Sequence, residues 1–475
     1  MRKVKHIKAS KRTEVQKQLR NIPYDKVLVV AIDPAKYSPK ALICNYFGEI
    51  LVNSFFFTIN SKGLNLLLTK IKDSVNNISA QKVLIGIETT GHYHEIIVRY
   101  LQEFDYNVLL INAYTTSKSR AENLNWSKTD DIDLFAIASA LIDGKTTKSR
   151  LLNGNYEKLK NLCRYRRYEV QKRSAIKSKI RALMDKIWPT FQGKGKIING
   201  TSKVENIFSD FWGKAPLFIM KNYPHPSLIK KLDKKDLRKI SRENNLKFRN
   251  STIEKLLLAA KDSYARPFEK LKVEIELLTM TIADYENANQ KISLLQDKIE
   301  NILVQNPGLL LLSVPEIGII TAAEFTAEMG PVNQYDYAGQ VIKTAGTNPL
   351  VEESGGKKAR YGSISKQGNP SFRHIVYLAG RSLATGKTNP YFKTYADKLR
   401  KKDKSPNQIY IAVGNKFIKV AFAMLRDHKL FDPPMWKGKS LTSNIFDKID
   451  SPENKEIALK TLENYLGVNS SKLAG

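Results

Sequence analysis

The chain has 475 residues, and its 78 Lys and Arg against 46 Asp and Glu leave a formal net charge of +32. That length accommodates two or three domains with cores of their own, and so large a positive excess points to a polyanionic partner, nucleic acid first. Two cysteines, Cys44 and Cys163, exclude a disulfide framework or a zinc site built from cysteine alone and fit a reducing cytoplasm. The first residues lack the apolar core of a signal peptide, and runs such as Val27 to Ile32 are too short to span a bilayer, so the expectation is a cytoplasmic protein without membrane contact.

Residues 1–24 are polar and basic and read as an N-terminal arm. Organised sequence begins at residue 25, in a domain reaching to about residue 148. Lys26 to Asp33 is a continuous apolar run, the pattern of a buried strand. Ala41 to Phe47 and Leu51 to Thr58 follow as a hairpin or meander around Gly48-Glu49. Gly63 to Val75 and Tyr93 to Phe104 have helical spacing, Val83 to Glu88 and Tyr106 to Ile111 are further strands, and Asp130 to Ile142 is a further helix. Three strands followed by alternating helix and strand predict an α/β domain, a mixed sheet with helices packed on it.

Two acids close buried strands here, Asp33 and Glu88, at the positions where a sheet fixes a side chain and the next loop exposes it. Lys128-Thr129-Asp130-Asp131-Ile132-Asp133 then opens a helix with three more. Asp130 and Asp133 share a helix face, with Asp131 about 100° round from Asp130. Each acid alone has an ordinary reading, as an N-cap, a turn residue or a complement to the helix dipole. Four carboxylates meeting at one point need cations between them, and two Mg2+ ions suit an oxygen-only ligand set and the chemistry of phosphoryl transfer.

Residues 149–305 read as a helical, coiled-coil linker region. Asn155 to Trp188 is strongly basic, and Arg164, Arg166 and Arg167 interleaved with Tyr165 and Tyr168 suit either a nucleic-acid surface or a solvated helix. Gly193 to Lys196 and Asn199-Gly200 read as a loop. From Leu271 a heptad runs through Leu278, Tyr285, Ile292 and Ile299, with Ile275, Ile282, Asn289, Gln296 and Leu303 at the other position. Its partner is either the 155–188 helix or a second copy of the chain.

Residues 306–435 form a mainly α C-terminal domain. Val314-Pro-Glu-Ile-Gly318 resembles the turn of a helix-hairpin-helix, with Gly318 allowing amides to approach a phosphate. Ala345-Gly-Thr-Asn-Pro349, Glu353-Ser354-Gly-Gly356 and Ile364-Ser-Lys-Gln-Gly-Asn369 follow, with Lys357, Lys358, Arg360, Lys366 and Arg373 as cations for a phosphate. Read alone, Ser354 belongs to an ordinary Ser-Gly-Gly loop, and Ser363 and Ser365 are turn or capping residues. His92, His94 and His374 read as structural. Residues 436–475 read as a loosely attached tail with a short helix.

The order β-Asp, β-Glu-x-Thr-Gly, Lys-Thr-Asp-x-x-Asp resembles the DEDD-type transposases related to the Piv invertase. Asp33, Glu88, Asp130 and Asp133 match their acids, and Asp131 falls on a variable position. The segment from Ala345 to Arg373 resembles the same family's C-terminal transposase domain, with Thr347 where Leu is usual. The resemblance covers roughly residues 27–430. It implies a RuvC-like, RNase H-like N-terminal domain holding Mg2+, and Ser354 as the nucleophile that forms a covalent phosphoserine link. It further implies that Lys128 and the basic residues named above lie near nucleic acid. The implied partners are donor and target DNA, a structured guide RNA from the element itself, and other copies of the chain in a dimer or tetramer, at work on the nucleoid. The rival readings are a metal-dependent junction nuclease that uses water, and an inactive nucleic-acid-binding relative.

Overall fold

The computed structural model describes residues 19, 21–89, 91–111, 130–144, 147–148, 152, 154–198, 201–352, 360–433 and 441–467. The chain divides between residues 151 and 152 into two compact units.

The first unit is a mixed α/β domain. Its elements are β1 (Val27–Asp33), β2 (Lys40–Asn45), β3 (Ile50–Phe56), α1 (Ser61–Asn77), β4 (Lys82–Glu88), α2 (His94–Glu103), β5 (Val108–Ile111), α3 (Asp130–Ile142) and β6 (Thr147–Lys148). The six strands lie in the order β3-β2-β1-β4-β5-β6. β1, β2 and β3 form an antiparallel meander, β4 and β5 add parallel to β1, and β6 closes the edge antiparallel. The two-residue β6 is too short to leave a strand pattern in the sequence.

Side chains alternate across a strand, and β1 uses both faces. Leu28, Val30 and Ile32 meet Leu64, Leu67 and Ile71 of α1 and Ile97, Val98 and Leu101 of α2. Val29 and Ala31 meet Leu134, Ile137 and Leu141 of α3. A strand covered on both faces must be apolar throughout, which explains the unbroken run in β1. On β4 the strand passes so close to α3 that a Cβ at Gly86 would stand 2.7 Å from the Leu141 side chain.

The second unit is mainly helical. It begins with α4 (Gly154–Ile187), the hairpin β7 (Gly193–Ile198) and β8 (Thr201–Asn206), and four helices α5 (Lys214–Asn222), α6 (Pro226–Ile229), α7 (Lys234–Glu243) and α8 (Asn250–Asp262). The segment expected as a loop from Gly193 to Lys196 is thus a strand, paired from Gly193 with Asn206 to Ile198 with Thr201. Glycine and lysine at alternate positions carry no apolar period, so the pairing is invisible in composition; residues 199–200 lie outside the described residues.

The long helix α9 (Lys272–Leu303) returns antiparallel to α4. Leu159 and Cys163 share a cluster with Ile299 and Leu303, Arg173 reaches the Asn289 amide oxygen at 3.0 Å, and Ile180 and Met184 share a cluster with Leu278 and Ile282. The heptad seam is therefore filled within the chain. Its first position is buried at all five residues, Leu271 to Ile299. The second position drifts: Ala288 and Leu295 are buried, whereas Asn289 is half-buried and Gln296 exposed. The polar Asn289 and Gln296 turn toward the rim of the seam, while Ile282 and Leu303 at the same position stay buried.

A 3-10 turn (Pro307–Ser313) leads to α10 (Ile319–Met329), α11 (Ala338–Ala345), the hairpin β9 (Pro349–Glu352) and β10 (Arg360–Ile364), and the helices α12 (Pro370–Thr385), α13 (Pro390–Arg400) and α14 (Pro406–Asp427). Phe325, Phe372, Phe392 and Phe417 pack edge-on at the centre of this core. α14 is long and apolar enough to cross a bilayer by length and composition, yet Val413, Phe417, Ile418 and Ala421 are core residues here.

The expected loose tail is different in the structure. α15 (Leu441–Phe446) and α16 (Pro452–Leu466) dock on the core through Ile445, Ile449, Ala458 and Leu462. Lys448 donates to Leu312 O at 2.6 Å and Val314 O at 3.0 Å, and Asn454 donates to Glu300 at 2.8 Å. Few of these apolar contacts show in the segment's polar composition, because one short amphipathic face supplies them.

Candidate active site

β1 and β4 run parallel with Ile32 beside Ile87, so Asp33 and Glu88, one residue on, stand at the same end of adjacent strands. Parallel neighbours lie about 4.8 Å apart. Both acids are half-buried.

α3 brings its first turn to that end. Lys40, paired with Asp33 across the antiparallel ladder, donates to Asp131 Oδ1 at 2.7 Å. At the far end of the same helix, Ile142 O accepts from the Tyr46 hydroxyl at 3.3 Å, next to the Asn45 that pairs with Leu28. α3 therefore runs antiparallel to β1, and Asp130 and Asp133 begin it on the side of Asp33 and Glu88. Asp133 is buried, with 7% exposure; the Asp130 side chain lies outside the described residues.

Asp131 falls on the position that the resemblance leaves variable. Its side chain is half exposed, but it is anchored. The Lys40 hydrogen bond, with another from Ser54, holds its carboxyl below the ordinary carboxylate range. Lys40 is a site residue that sequence reasoning missed, since only strand register sets it beside Asp33.

Among the described residues, no three histidine, cysteine or carboxylate groups close round one point as a finished metal centre. The donors at this end are all carboxylate oxygens, a set that fits a hard divalent cation and not a soft one.

In the second unit, Ser354, Lys357 and Lys358 fall between β9 and β10, outside the described residues, as does Lys128 in the first. The Arg360 side chain is likewise outside them. The frame beneath the hairpin is described. Gly346 has φ +67° and caps α11, and a Cβ there would stand 2.9 Å from Gly368 N; a Cβ on Gly368 would stand 2.5 Å from Gly346 N. The two glycines of Ala-Gly-Thr and Lys-Gln-Gly-Asn are thus the crossing point of two backbones. Around them Lys366 N donates to Gly346 O at 3.1 Å and Asn369 N to Thr344 O at 2.8 Å. Arg373 donates to Ala345 O and Lys366 O, at 3.3 and 3.2 Å, and Lys366 is exposed with φ +54°. Thr347 is fully buried and donates to Asn415 Oδ1 at 2.5 Å, while the Asn415 amide donates to Thr347 O at 3.0 Å. The Thr347 hydroxyl is thus served by a polar partner on α14.

The turn at Gly318 joins a 3-10 helix, not an α-helix, to α10. Gly318 is the N-cap, with open space on its Cβ side. Glu316 is held at φ +71° while its carboxylate accepts from Thr388 N at 3.0 Å and Thr388 Oγ1 at 2.6 Å.

Two of the three candidate α4 arginines have carboxylate partners. Arg164 pairs with Glu328 and Arg167 with Glu324, each at 2.7 Å, on carboxylates of α10 that are almost fully buried. Arg166 is half-buried, and burial lowers its pKa. No sequence signal linked α4 to these glutamates, which lie more than 150 residues on.

Residues 30–189 match the IS110 DEDD transposase family model, and residues 309–397 match the model of the transposase IS116/IS110/IS902 family. The pilin gene-inverting protein of Moraxella bovis is 24% identical over 186 residues, 37% of this chain and 58% of that protein. The IS116 44.8 kDa protein of Streptomyces clavuligerus is 21% identical over 420 residues, 85% of this chain and 96% of its own length. The IS900 42 kDa protein of Mycobacterium paratuberculosis is 30% identical over 128 residues, 26% of this chain and 31% of that protein. With the carboxylate-bearing unit and the Ser-Gly segment each matched in this order, the chain belongs to the IS116/IS110/IS902 transposase family.

Proposed function

We propose that this protein is the DNA recombinase of an insertion sequence, with an acidic half-site in the first unit and a serine half-site in the second. One observation carries most of the reading: Asp33 and Glu88 end adjacent parallel strands on the side where α3 begins with Asp130 and Asp133. The meander β1–β3 extended by parallel β4 and β5, with helices on both faces, supports an RNase H-like, RuvC-like domain. The name of the pilin gene-inverting relative supports recombination over hydrolysis.

Asp33, Glu88, Asp130 and Asp133 would hold divalent cations, Mg2+ first, that draw charge from the phosphate and activate the attacking oxygen. In the proposed reaction Ser354 Oγ attacks phosphorus and the bond to one bridging oxygen breaks. The departing oxygen takes the serine proton, and the strand stays joined to the protein as a phosphoserine. A hydroxyl of the incoming strand then attacks the phosphoserine and restores the serine. Each step exchanges one phosphoester for another, so the sequence needs no nucleotide hydrolysis. Lys128, Lys357, Lys358, Arg360, Lys366 and Arg373 would carry phosphate charge. Gly318, in a helix-hairpin-helix-like turn, would admit a backbone phosphate. Arg164, Arg166 and Arg167 remain candidates for nucleic-acid contact beside their roles in the fold.

Two copies or four, working in the cytoplasm on the nucleoid, would pair the acidic unit of one with the serine of another. A structured RNA from the element's own flank would choose the DNA partners. Trapping on a denaturing gel tests the chemistry. Wild-type protein with labelled element ends and Mg2+ is expected to give a covalent protein–DNA band that Ser354→Ala and Asp33→Ala both lose. Cleavage retained in Ser354→Ala would favour a junction nuclease; activity unchanged in Asp33→Ala and Asp130→Asn would favour an inactive relative. Sequencing the RNA that co-purifies from cells carrying the flanking DNA tests guidance, with bulk cellular RNA as the adverse result.

A further inference from the structure

The two family matches leave residues 190–308 unassigned. Much of that interval is a small helical subdomain at the end of the α4–α9 pair, with its own core of Trp188, Phe191, Ile219, Leu237, Ile253 and Leu256. One side of it is unusually basic. Residues 230–249 hold nine Lys and Arg against three acids, and all nine basic side chains are exposed.

The acids neutralise little of that side: Lys234 pairs with Glu254 of α8 at 2.7 Å, and the three acids of the segment are turned to other uses. Asp233 and Asp236 are used in the capping box of α7, where Asp233 accepts from the amides of Lys235 and Asp236, and the Asp233 amide donates to Asp236. Glu243 lies 3.9 Å from Lys239. Placed on a helical wheel from the buried Leu237, Arg238, Arg242, Lys235 and Lys239 fall between about 100° and 200°, whereas Asp236 and Glu243 fall together near 240–260°. The basic sector therefore faces away from the core and holds no acid. It continues past the helix: Arg238 reaches Asn250 at the start of α8 with a 3.2 Å hydrogen bond. The connection between the helices is fixed by Leu246 N to Ser241 O at 2.9 Å and Phe248 N to Ser241 Oγ at 2.9 Å, and it presents Lys247 and Arg249 on either side of Phe248. Lys230, Lys231, Lys235, Arg242, Lys247 and Arg249 have no ion-pair partner among the described residues.

We infer that the exposed face of α7 and the α7–α8 connection form a docking surface for the phosphate backbone of double-helical nucleic acid, separate from both half-sites. A ten-residue helix is about 15 Å long, and a duplex presents one phosphate charge per about 1.7 Å of its axis over the two strands, so the helix and the connection beyond it can meet several phosphates at once. The one aromatic ring of the face, Phe248, is half-buried and lies against the Phe208 ring, so the face lacks the open stacking platform that a single strand needs. Such a surface positions a duplex and reads no sequence. DNA and RNA duplexes share this chemistry, and the proposal stands whether or not the carboxylates and Ser354 act as proposed above.

The test is fluorescence anisotropy with the full-length protein in EDTA, so that no strand is cut. The probes are a labelled 25-base-pair DNA duplex, an RNA hairpin of equal stem length and a single strand. Lys235→Gln/Arg238→Gln/Lys239→Gln/Arg242→Gln is compared with a control that removes the same charge elsewhere, Lys261→Gln/Lys270→Gln/Lys291→Gln/Lys298→Gln. Thermal unfolding confirms that both are folded. The α7 variant is expected to bind duplex about tenfold or more weakly at moderate salt, and the slope of log K against log salt to fall by about 3; the control is expected to change less than about threefold. Loss on the DNA arm, the RNA arm or both identifies which duplex is held. Equal losses in the two variants, no loss in the α7 variant, or loss confined to the single strand would overturn the inference.

Discussion

Arg164 of α4 and Glu328 of α10 form a two-pronged ion pair, Nε to Oε1 at 2.7 Å and a terminal nitrogen to Oε2 at 2.9 Å. The same carboxylate accepts from the Asn369 amide at 2.6 Å, and Asn369 caps α12 by accepting from Ser371 N. One buried glutamate thus ties the long helix pair to the loop that follows β10. Burial alone would raise the Glu328 pKa, but the hydrogen bond and charge of Arg164 and the Asn369 amide outweigh it, and the net shift is downward.

A carboxylate with a lowered folded pKa stabilises above its unfolded pKa and loses that contribution as pH falls through the folded value. Wild-type thermal stability should therefore fall as pH drops below the ordinary Glu value of 4.5. Glu328→Gln should lose about 1–2 kcal/mol at pH 7 and show a shallower decline below pH 4.5. Parallel curves for the two proteins, followed by calorimetry, would count against the pair.

At Thr347 the structure predicts that leucine is harmful in this chain. Thr347→Leu removes the hydroxyl that serves Asn415 and forces extra volume into a fully buried site. The expected loss is about 2–3 kcal/mol in urea unfolding. A double-mutant cycle with Asn415→Ala should show coupling between the two positions, because each change removes a hydrogen bond that the other residue makes; strict additivity would count against the pair.

Gly86→Ala places a methyl against Leu141 and should destabilise the first unit by about 1–3 kcal/mol. Leu141→Ala makes the room. A double-mutant cycle should give a coupling of about 1 kcal/mol or more, since contacting residues are non-additive; strict additivity would mean that α3 does not lie on β4 as described.

The three acids that open α3 should separate in an activity assay. Asp131 is committed to Lys40 and Ser54, so Asp131→Asn should leave covalent DNA capture within about threefold of wild type. Asp133→Asn, which alters a buried carboxylate at the strand ends, should abolish it, a loss of about a hundredfold or more on the scale of electrostatic catalysis. Equal effects of the two changes would reverse this assignment.

Lys448 fastens the last helices to the core through two carbonyl oxygens, and burial moves its pKa down to about 8. A base with a depressed folded pKa holds fewer protons folded than unfolded between pH 8 and its ordinary 10.5, so this group makes stability rise with pH across that window. Lys448→Met should remove that rise and, by leaving two carbonyls unserved, cost about 2–3 kcal/mol at pH 7, measurable as a lower unfolding midpoint.

What the sequence determined was local. The apolar runs of β1 and β4, the helical spacing of α1, α2, α3 and α9, and the acids that close two strands and open one helix were all legible from period and position. These patterns exist because a residue's burial follows its place in a strand or a helical turn. Tertiary structure decided what no period records. Register put Lys40 beside Asp33 and aimed it at Asp131. Antiparallel packing gave the α9 heptad an intramolecular partner in α4, and gave Arg164 and Arg167 buried glutamates more than 150 residues away. A hairpin of glycine and lysine left no apolar period to read, and a tail anchored by one half-buried ammonium emerged only when distant groups met. Long-range pairing depends on which surfaces meet after folding, and a linear pattern shows one surface at a time.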